Sequence, residues 1–228
     1  MLNMPRPPRL IIAGQCYHII NRANGRAEIF HEAADYVAFI SLMARAQEQV
    51  FLPILAACLM PNHFHLVVQP TGEGDISNWT RWLFTTHVRH YHGKYKTTGR
   101  LWQGRFKSFH IQDDHYLLSV LRYVERNAQR AELVSRAEDW RWGSLNWRAG
   151  NHSPLVLSTP PTELPRDWVG FVNMPQTAAE LEAIRTSVNR QRPFGDPQWV
   201  DSQAHEAGLE QSLFNVGRPR KSRCDPVS

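Results

Sequence analysis

Apolar and polar positions along the first two thirds of the chain follow two alternating rhythms. Cys16 to Asn21 reads as a strand. Ala33 to Gln49 carries Tyr36, Phe39, Ile40 and Met43 at three- and four-residue steps, the signature of an amphipathic helix. Pro53 to Met60 is an apolar run that stops at Pro61-Asn62, and His63 to Gln69 follows at once, so the two predict a hairpin. After a Gly-rich loop from Thr71 to Asp75, Ser77 or Asn78 can cap a helix to about Tyr91, with Gly93 and Thr97-Thr98-Gly99 forming the next loop. Phe106 to Ile111 reads as a further strand, and Asp113 or Asp114 caps a last helix through about Arg130. The order β-α-β-β-α-β with an added helix predicts an α+β fold. It is a ferredoxin-like sandwich with an antiparallel sheet and its helices on one face.

Beyond Asn151 the composition shifts. Ser153 to Pro175 is Pro-rich and predicts a wrapping or linking segment, Thr177 to Arg190 has helical spacing in Leu181, Ile184 and Val188, and a short helix starts at Pro197 with Asp196 as cap and Gly208 beyond its end. We therefore divide the chain into a main domain at 1–150 and a small helical C-terminal extension with a linker and basic tail at 151–228. Cys16, Cys58 and Cys224 are scattered and odd in number, which argues for reduced thiols and against a zinc ribbon or disulfide framework. With no signal-like or membrane-length apolar run, the expectation is a soluble, cytoplasmic protein without a membrane partner. A monomer is the favoured reading over a dimer.

Charge changes the picture. The formal net charge is +5 and the isoelectric point is near 9.4, but its distribution matters more. From Ile76 to Gln112 there is no Asp or Glu, while Arg81, Arg89, Lys94, Lys96, Arg100, Arg105 and Lys107 all fall there, with His87, His90, His92 and His110. Trp79, Trp82, Phe84, Tyr91, Tyr95, Trp102, Phe106 and Phe109 are interleaved. Cations attract phosphates and exposed rings, Trp102 among the candidates, stack on unpaired bases, so the segment points to single-stranded nucleic acid and steep salt dependence. Some of these rings must also be core. In the tail, Gly217-Arg218-Pro219-Arg220 resembles the basic core of an AT-hook, which makes Arg218 and Arg220 accessory DNA-binding candidates.

Candidate chemistry lies elsewhere. His63 and His65 stand two apart on a predicted strand, so both project from one face while Phe64 and Leu66 turn to the other. Two neutral imidazoles so placed can hold one divalent ion, with a third protein ligand and water or phosphate oxygens completing the shell. An alternating strand can equally just carry two exposed histidines. On the last helix Leu117, Val120, Leu121 and Val124 form the apolar stripe, flanked by Tyr116, Tyr123, Asn127 and Arg130. A tyrosine there can be a nucleophile with the Asn127 amide as an oxygen ligand, or both tyrosines can be half-buried packing residues.

These signals meet in one pattern. His63-Phe64-His65 after Met60-Pro61-Asn62, then Leu101-Trp102-Gln103-Gly104-Arg105-Phe106-Lys107-Ser108, Tyr116-Leu117-Leu118, and Arg122-Tyr123-Val124-Glu125-Arg126-Asn127 resemble the REP-associated tyrosine transposases. These are domesticated relatives of the single-tyrosine insertion-sequence transposases of the HUH class. The likeness spans about Ile11 to Arg148, and Trp140-Arg141-Trp142-Gly143-Ser144 fits the close of the family's catalytic domain. It implies metal ligation by His63, His65 and Asn127, with Mg²⁺ or Mn²⁺ as the ion, and nucleophilic attack by Tyr123. The expected activity is cleavage and rejoining of single-stranded DNA at hairpins of the repetitive extragenic palindrome type through a 5′-phosphotyrosine intermediate. Where the family has Asn-Pro-Val-Arg-Ala this chain has Asn127-Ala128-Gln129-Arg130-Ala131, so the helix is free to continue. The alternatives are a non-catalytic hairpin-binding regulator with the same fold, and a phosphodiesterase that uses water.

Overall fold

The computed structural model describes residues 10–151, 153 and 155–214. Arg218, Arg220 and Cys224 lie outside the described residues. The main domain runs β1 (Cys16–Arg22), α1 (Ala33–Gln49), β2 (Ile54–Met60), β3 (His63–Val68), α2 (Asp75–Tyr95), β4 (Lys107–Ile111) and α3 (His115–Glu125). The four strands form one sheet in the order β2-β3-β1-β4 with every pairing antiparallel, the arrangement expected of a ferredoxin-like sandwich.

The expectation of helices on one face alone is corrected. Both faces of the sheet carry apolar residues, and both have a helical layer packed on them. Tyr17, Ile19, Phe64, Leu66 and Val68 point into a core shared with Phe39 and Met43 of α1 and Trp79 and Leu83 of α2. Cys16, Cys58, Val67, Phe109 and Ile111 point the other way, into a core shared with Leu117, Val120, Leu121 and Val124 of α3. A strand that buries both faces needs a layer on each. The added helix supplies the second layer.

Three other boundaries differ from expectation. Helix α2 starts at Asp75 because its carboxylate accepts from Thr71 N, Thr71 Oγ1 and Gly72 N, folding the preceding loop back on the first turn. It runs through Gly93 and stops where Lys96 adopts the left-handed conformation (φ 52°). The last helix breaks at Arg126 (φ −84°, ψ 0°) into α3 and a single turn, α4 (Asn127–Arg130). The bonds Arg126 N→Arg122 O and Arg130 N→Arg126 O, both 2.9 Å, carry the turn across the break, so Asn127 still stands one turn beyond Tyr123.

The rest of the chain closes the sheet edges and backs α3. Gly143 bridges Cys58, and Leu59 N donates to Trp142 O (2.9 Å), so the segment leading into α5 (Ser144–Arg148) covers the β2 edge. At the opposite edge Phe194 pairs with β4 through Phe194 N→His110 O (2.8 Å) and Gln112 N→Phe194 O (2.9 Å). Covered edges leave no row of unpaired backbone groups. The Pro-rich stretch holds a helix that the sequence pattern did not reveal, α6 (Trp168–Asn173), whose Trp168 and Val172 enter the α3-side core. Helices α7 (Ala178–Arg190) and α8 (Pro197–Glu206) match expectation, capped by Thr177 and Asp196.

Candidate active site

The sheet register fixes the site. On the α3 face, Arg22 of β1 is the cross-strand partner of His63, and Ile20 is the partner of both His65 and Lys107. His63 and His65 therefore sit in adjacent rows of the central strand, with Arg22 beside the first and Lys107 two strands from the second. Their rings stand edge to face with centroids 5.1 Å apart. The ring of Tyr123, from α3 above, meets His65 edge to face at 5.8 Å and 81°. Tyr123 thus lies against the strand pair through His65.

Hydrogen bonds orient the imidazoles. His63 Nδ1 lies 2.6 Å from Asn62 Oδ1, an acceptor that holds the proton on Nδ1 and leaves Nε2 as a lone pair. His65 Nδ1 lies 2.8 Å from Nε2 of His18, a wholly buried histidine on β1. Burial pushes His63 down to about 3, with the Arg22 and Arg130 guanidiniums adding to it. Burial, followed by the neighbouring histidines and arginines, drives His65 well below the ordinary value for histidine. Both are neutral donors of the kind a metal needs.

Arg130 organises the third side. Its guanidinium lies 4.1 Å over the Tyr123 ring, donates to Asn127 Oδ1 (2.8 Å) and to Tyr123 O (3.2 Å), and leaves Asn127 Nδ2 buried without a partner among the described residues. Burial, with Arg26 beside Arg22 and with Arg185 and Arg126 near Arg130, lowers both guanidiniums from their usual range. Among the described residues no carboxylate forms an ion pair with Arg22, Arg126 or Arg130. Half-buried guanidiniums without acids are costly unless an anion joins them.

The donor types suit a divalent ion: two neutral imidazoles, of which His63 has its Nε2 left as a lone pair, and the amide oxygen of Asn127, bonded here by Arg130, within one turn of the tyrosine. No cluster of three or more His, Cys, Asp or Glu capable of holding a metal occurs among the described residues, so the amide and outside oxygens would have to complete the shell.

The other sequence candidates divide. Lys107 is exposed on the site face, and Arg105 is exposed in the loop that Asn21 and Arg22 tie to the end of β1 through Asn21 Nδ2→Gly104 O and Gln103 N→Arg22 O. Arg81 and Arg89 are exposed on α2, in the layer on the far side of the sheet, and Lys96 and Arg100 follow that helix. Lys94 is engaged within the protein, bridging Glu32 (2.6 Å) and Asp35 (2.5 Å). Trp102 is corrected from a stacking surface to core: it is 6% exposed and packs against Phe39, Phe64, Phe84 and His87. Tyr116 packs edge to face on Phe194 (5.4 Å), away from the histidine pair.

Sequence reasoning missed His18 and Arg22 as site residues, and placed Arg130 on the stripe of Tyr123 and Asn127 without giving it a role. His18, Ile20 and Arg22 alternate on one strand face, a signal that was present, but only the register shows that this face is the one bearing His63 and His65.

Fold and site together define a class. A family model described as Transposase IS200 like matches residues 12–127, just over half of the chain, and the chain belongs to that family. Its membership places it among proteins of DNA transposition. Within that class it is similar to a Haemophilus influenzae protein whose assigned name, itself provisional, is REP-associated tyrosine transposase, at 27% identity over 124 residues, 49% of this chain and 70% of the other. The fold is also shared with a solved structure described as a REP-associated tyrosine transposase bound to a REP hairpin. That match has a TM-score of 0.54 and 16% identity, and covers 71% of this chain and all of the other. No helix among the described residues is long and apolar enough to cross a membrane.

Proposed function

We propose that the chain cleaves and rejoins single-stranded DNA beside hairpins of the REP type, with Tyr123 as nucleophile and a divalent ion, Mg²⁺ or Mn²⁺, held by His63, His65 and Asn127. The edge-to-face contact of Tyr123 with His65 carries the reading: it sets that phenol of α3 against the histidine pair, with the Arg130 guanidinium, which pairs with no carboxylate among the described residues, over its ring.

The step balances as a transesterification. The Tyr123 oxygen attacks phosphorus, the bond to the upstream 3′ oxygen breaks, the phenolic proton passes to solvent and the 3′ oxygen leaves as a hydroxyl. The downstream strand remains as a 5′-phosphotyrosine, and attack by a 3′-hydroxyl reverses the step without an outside energy source. The bound ion would neutralise charge on the phosphoryl oxygens and orient them for in-line displacement. Arg22 and Arg130 flank the same position and would meet the phosphate directly. Tyr123 is 6% exposed, and Arg130 covers its ring while occupying Asn127 Oδ1. An arriving phosphate that draws Arg130 to itself would uncover the phenol and free the amide oxygen for the ion in one movement.

The test uses a labelled hairpin oligonucleotide with Mg²⁺ or Mn²⁺, resolved on a denaturing gel. Wild-type protein forms a band of protein-linked DNA, and Tyr123→Phe, which keeps the ring and its contacts, forms none while still shifting the hairpin on a native gel. Cleavage without any linked product would overturn the tyrosine chemistry in favour of water.

A further inference from the structure

We infer that His18 is a positioning residue: it accepts the Nδ1 proton of His65 and so fixes the tautomer whose Nε2 lone pair faces the metal position. The inference rests on the metal-binding reading above and concerns a residue that makes no contact with the substrate in that reading.

A neutral imidazole has one N–H, and a hydrogen bond between two imidazoles holds one proton. The 2.8 Å contact of His18 Nε2 with His65 Nδ1 therefore has two arrangements. If His18 donates, the proton of His65 is on Nε2, the nitrogen that would otherwise meet the ion, and excludes it. If His65 donates, its Nε2 is a lone pair. Only the second arrangement can ligate, and it exists only if the group behind His65 can accept.

The surroundings hold His18 to that task. It is wholly buried, its ring stacks on Phe109 (4.8 Å, 28°), and its other nitrogen, Nδ1, is buried without a protein partner among the described residues. The stacking fixes the direction of Nε2; the proton that this arrangement puts on Nδ1 meets no partner among the described residues, a cost that ligation of an ion by His65 has to offset. Asn62 accepts in the same way from His63 through Oδ1, which can only accept, so each of the two candidate histidine ligands has one partner behind it. Partners of this kind orient ligating histidines and raise their basicity.

The test compares His18→Leu, which removes the acceptor, with His18→Gln, whose terminal amide reaches about as far as Nε2 and can accept through Oε1. Titration calorimetry with Mn²⁺ on the full chain should show binding about 10 to 100 times weaker in His18→Leu, with His18→Gln within about threefold of wild type. Nitrogen-15 NMR of the zinc-loaded wild type should show His65 protonated at Nδ1 and metal-bound at Nε2. Unchanged Mn²⁺ affinity in His18→Leu, or an unprotonated Nδ1 in the loaded protein, overturns the inference and leaves the metal site standing. Mn²⁺ binding that survives His65→Ala overturns the metal site, and this inference with it.

Discussion

Glu125 ends the helix that carries Tyr123, and its removal should unfold the link between that helix and the rest of the chain. Its carboxylate has no solvent exposure and accepts from Ser144 Oγ (2.5 Å), Trp168 Nε1 (2.6 Å) and Arg148 Nε (2.9 Å). Three segments, α3, α5 and α6, thus meet on one anion, and Ser144 relays the contact to Ala57 N in β2 (3.0 Å). Glu125→Ala strands two buried neutral donors, each costing about 1–3 kcal/mol. The loss for Arg148 is smaller, because that side chain is 21% exposed and water replaces part of the interaction. The sum is about 3–5 kcal/mol, in line with breaking other buried ion pairs. With a urea dependence of about 2 kcal/mol per molar, the unfolding midpoint should fall by about 1.5–2.5 M. Tryptophan fluorescence would follow it, with Trp168 itself a reporter, and amide exchange in α6 should accelerate. A midpoint within about 0.5 M of wild type would refute the argument, since no fully desolvated anchor comes so cheaply.

Acid should destabilise the fold before it touches most carboxylates. Burial holds His18, His63 and His87 at about 3 and His65 well below its usual range, so all are neutral when folded. The unfolded chain takes up these protons near pH 6.5. Stability is therefore complete above about 6.5 and falls as pH drops toward about 3, by up to about 1.4 kcal/mol per unit for each such histidine. Urea midpoints that do not change between about pH 7.5 and 5 would contradict this. For DNA, Arg105→Gln with Lys107→Gln should flatten the slope of log affinity on log salt by about 1.4, whereas Arg81→Gln with Arg89→Gln on the far layer should hardly change it. Equal effects from the two pairs would place the strand across α2 instead. Tyr123→Phe should leave the urea midpoint within about 0.3 M, because only a hydroxyl is lost at a position whose ring contacts persist.

Much of the fold was legible because period and punctuation agree: α1 begins and ends where its apolar spacing does, and Asp196-Pro197 announces its helix unaided. Helix α6 was hidden because Trp168 and Val172 are too few to set a period and lie in a Pro-rich stretch. The aromatic run from Trp79 to Phe109 misled for a physical reason. Interleaved rings and cations mark a stacking surface only when the rings face outward, and Trp79, Trp102 and Phe109 are inward members of two cores. At the site, His63, His65 and Tyr123 were visible as motifs and Arg130 as a member of the tyrosine's stripe, whereas Arg22 and His18 depend on cross-strand register. Pairings between distant segments leave no local trace.

The most direct measurement is to digest the protein–DNA adduct and locate the modified residue by mass spectrometry. A nucleotide attached through phosphate to Tyr123, formed only with a divalent ion and absent from His63→Ala and His65→Ala proteins, is the predicted result. Attachment at Tyr116 or any other residue, or an adduct that forms without the two histidines, would contradict the convergence of imidazoles and phenol on one phosphate.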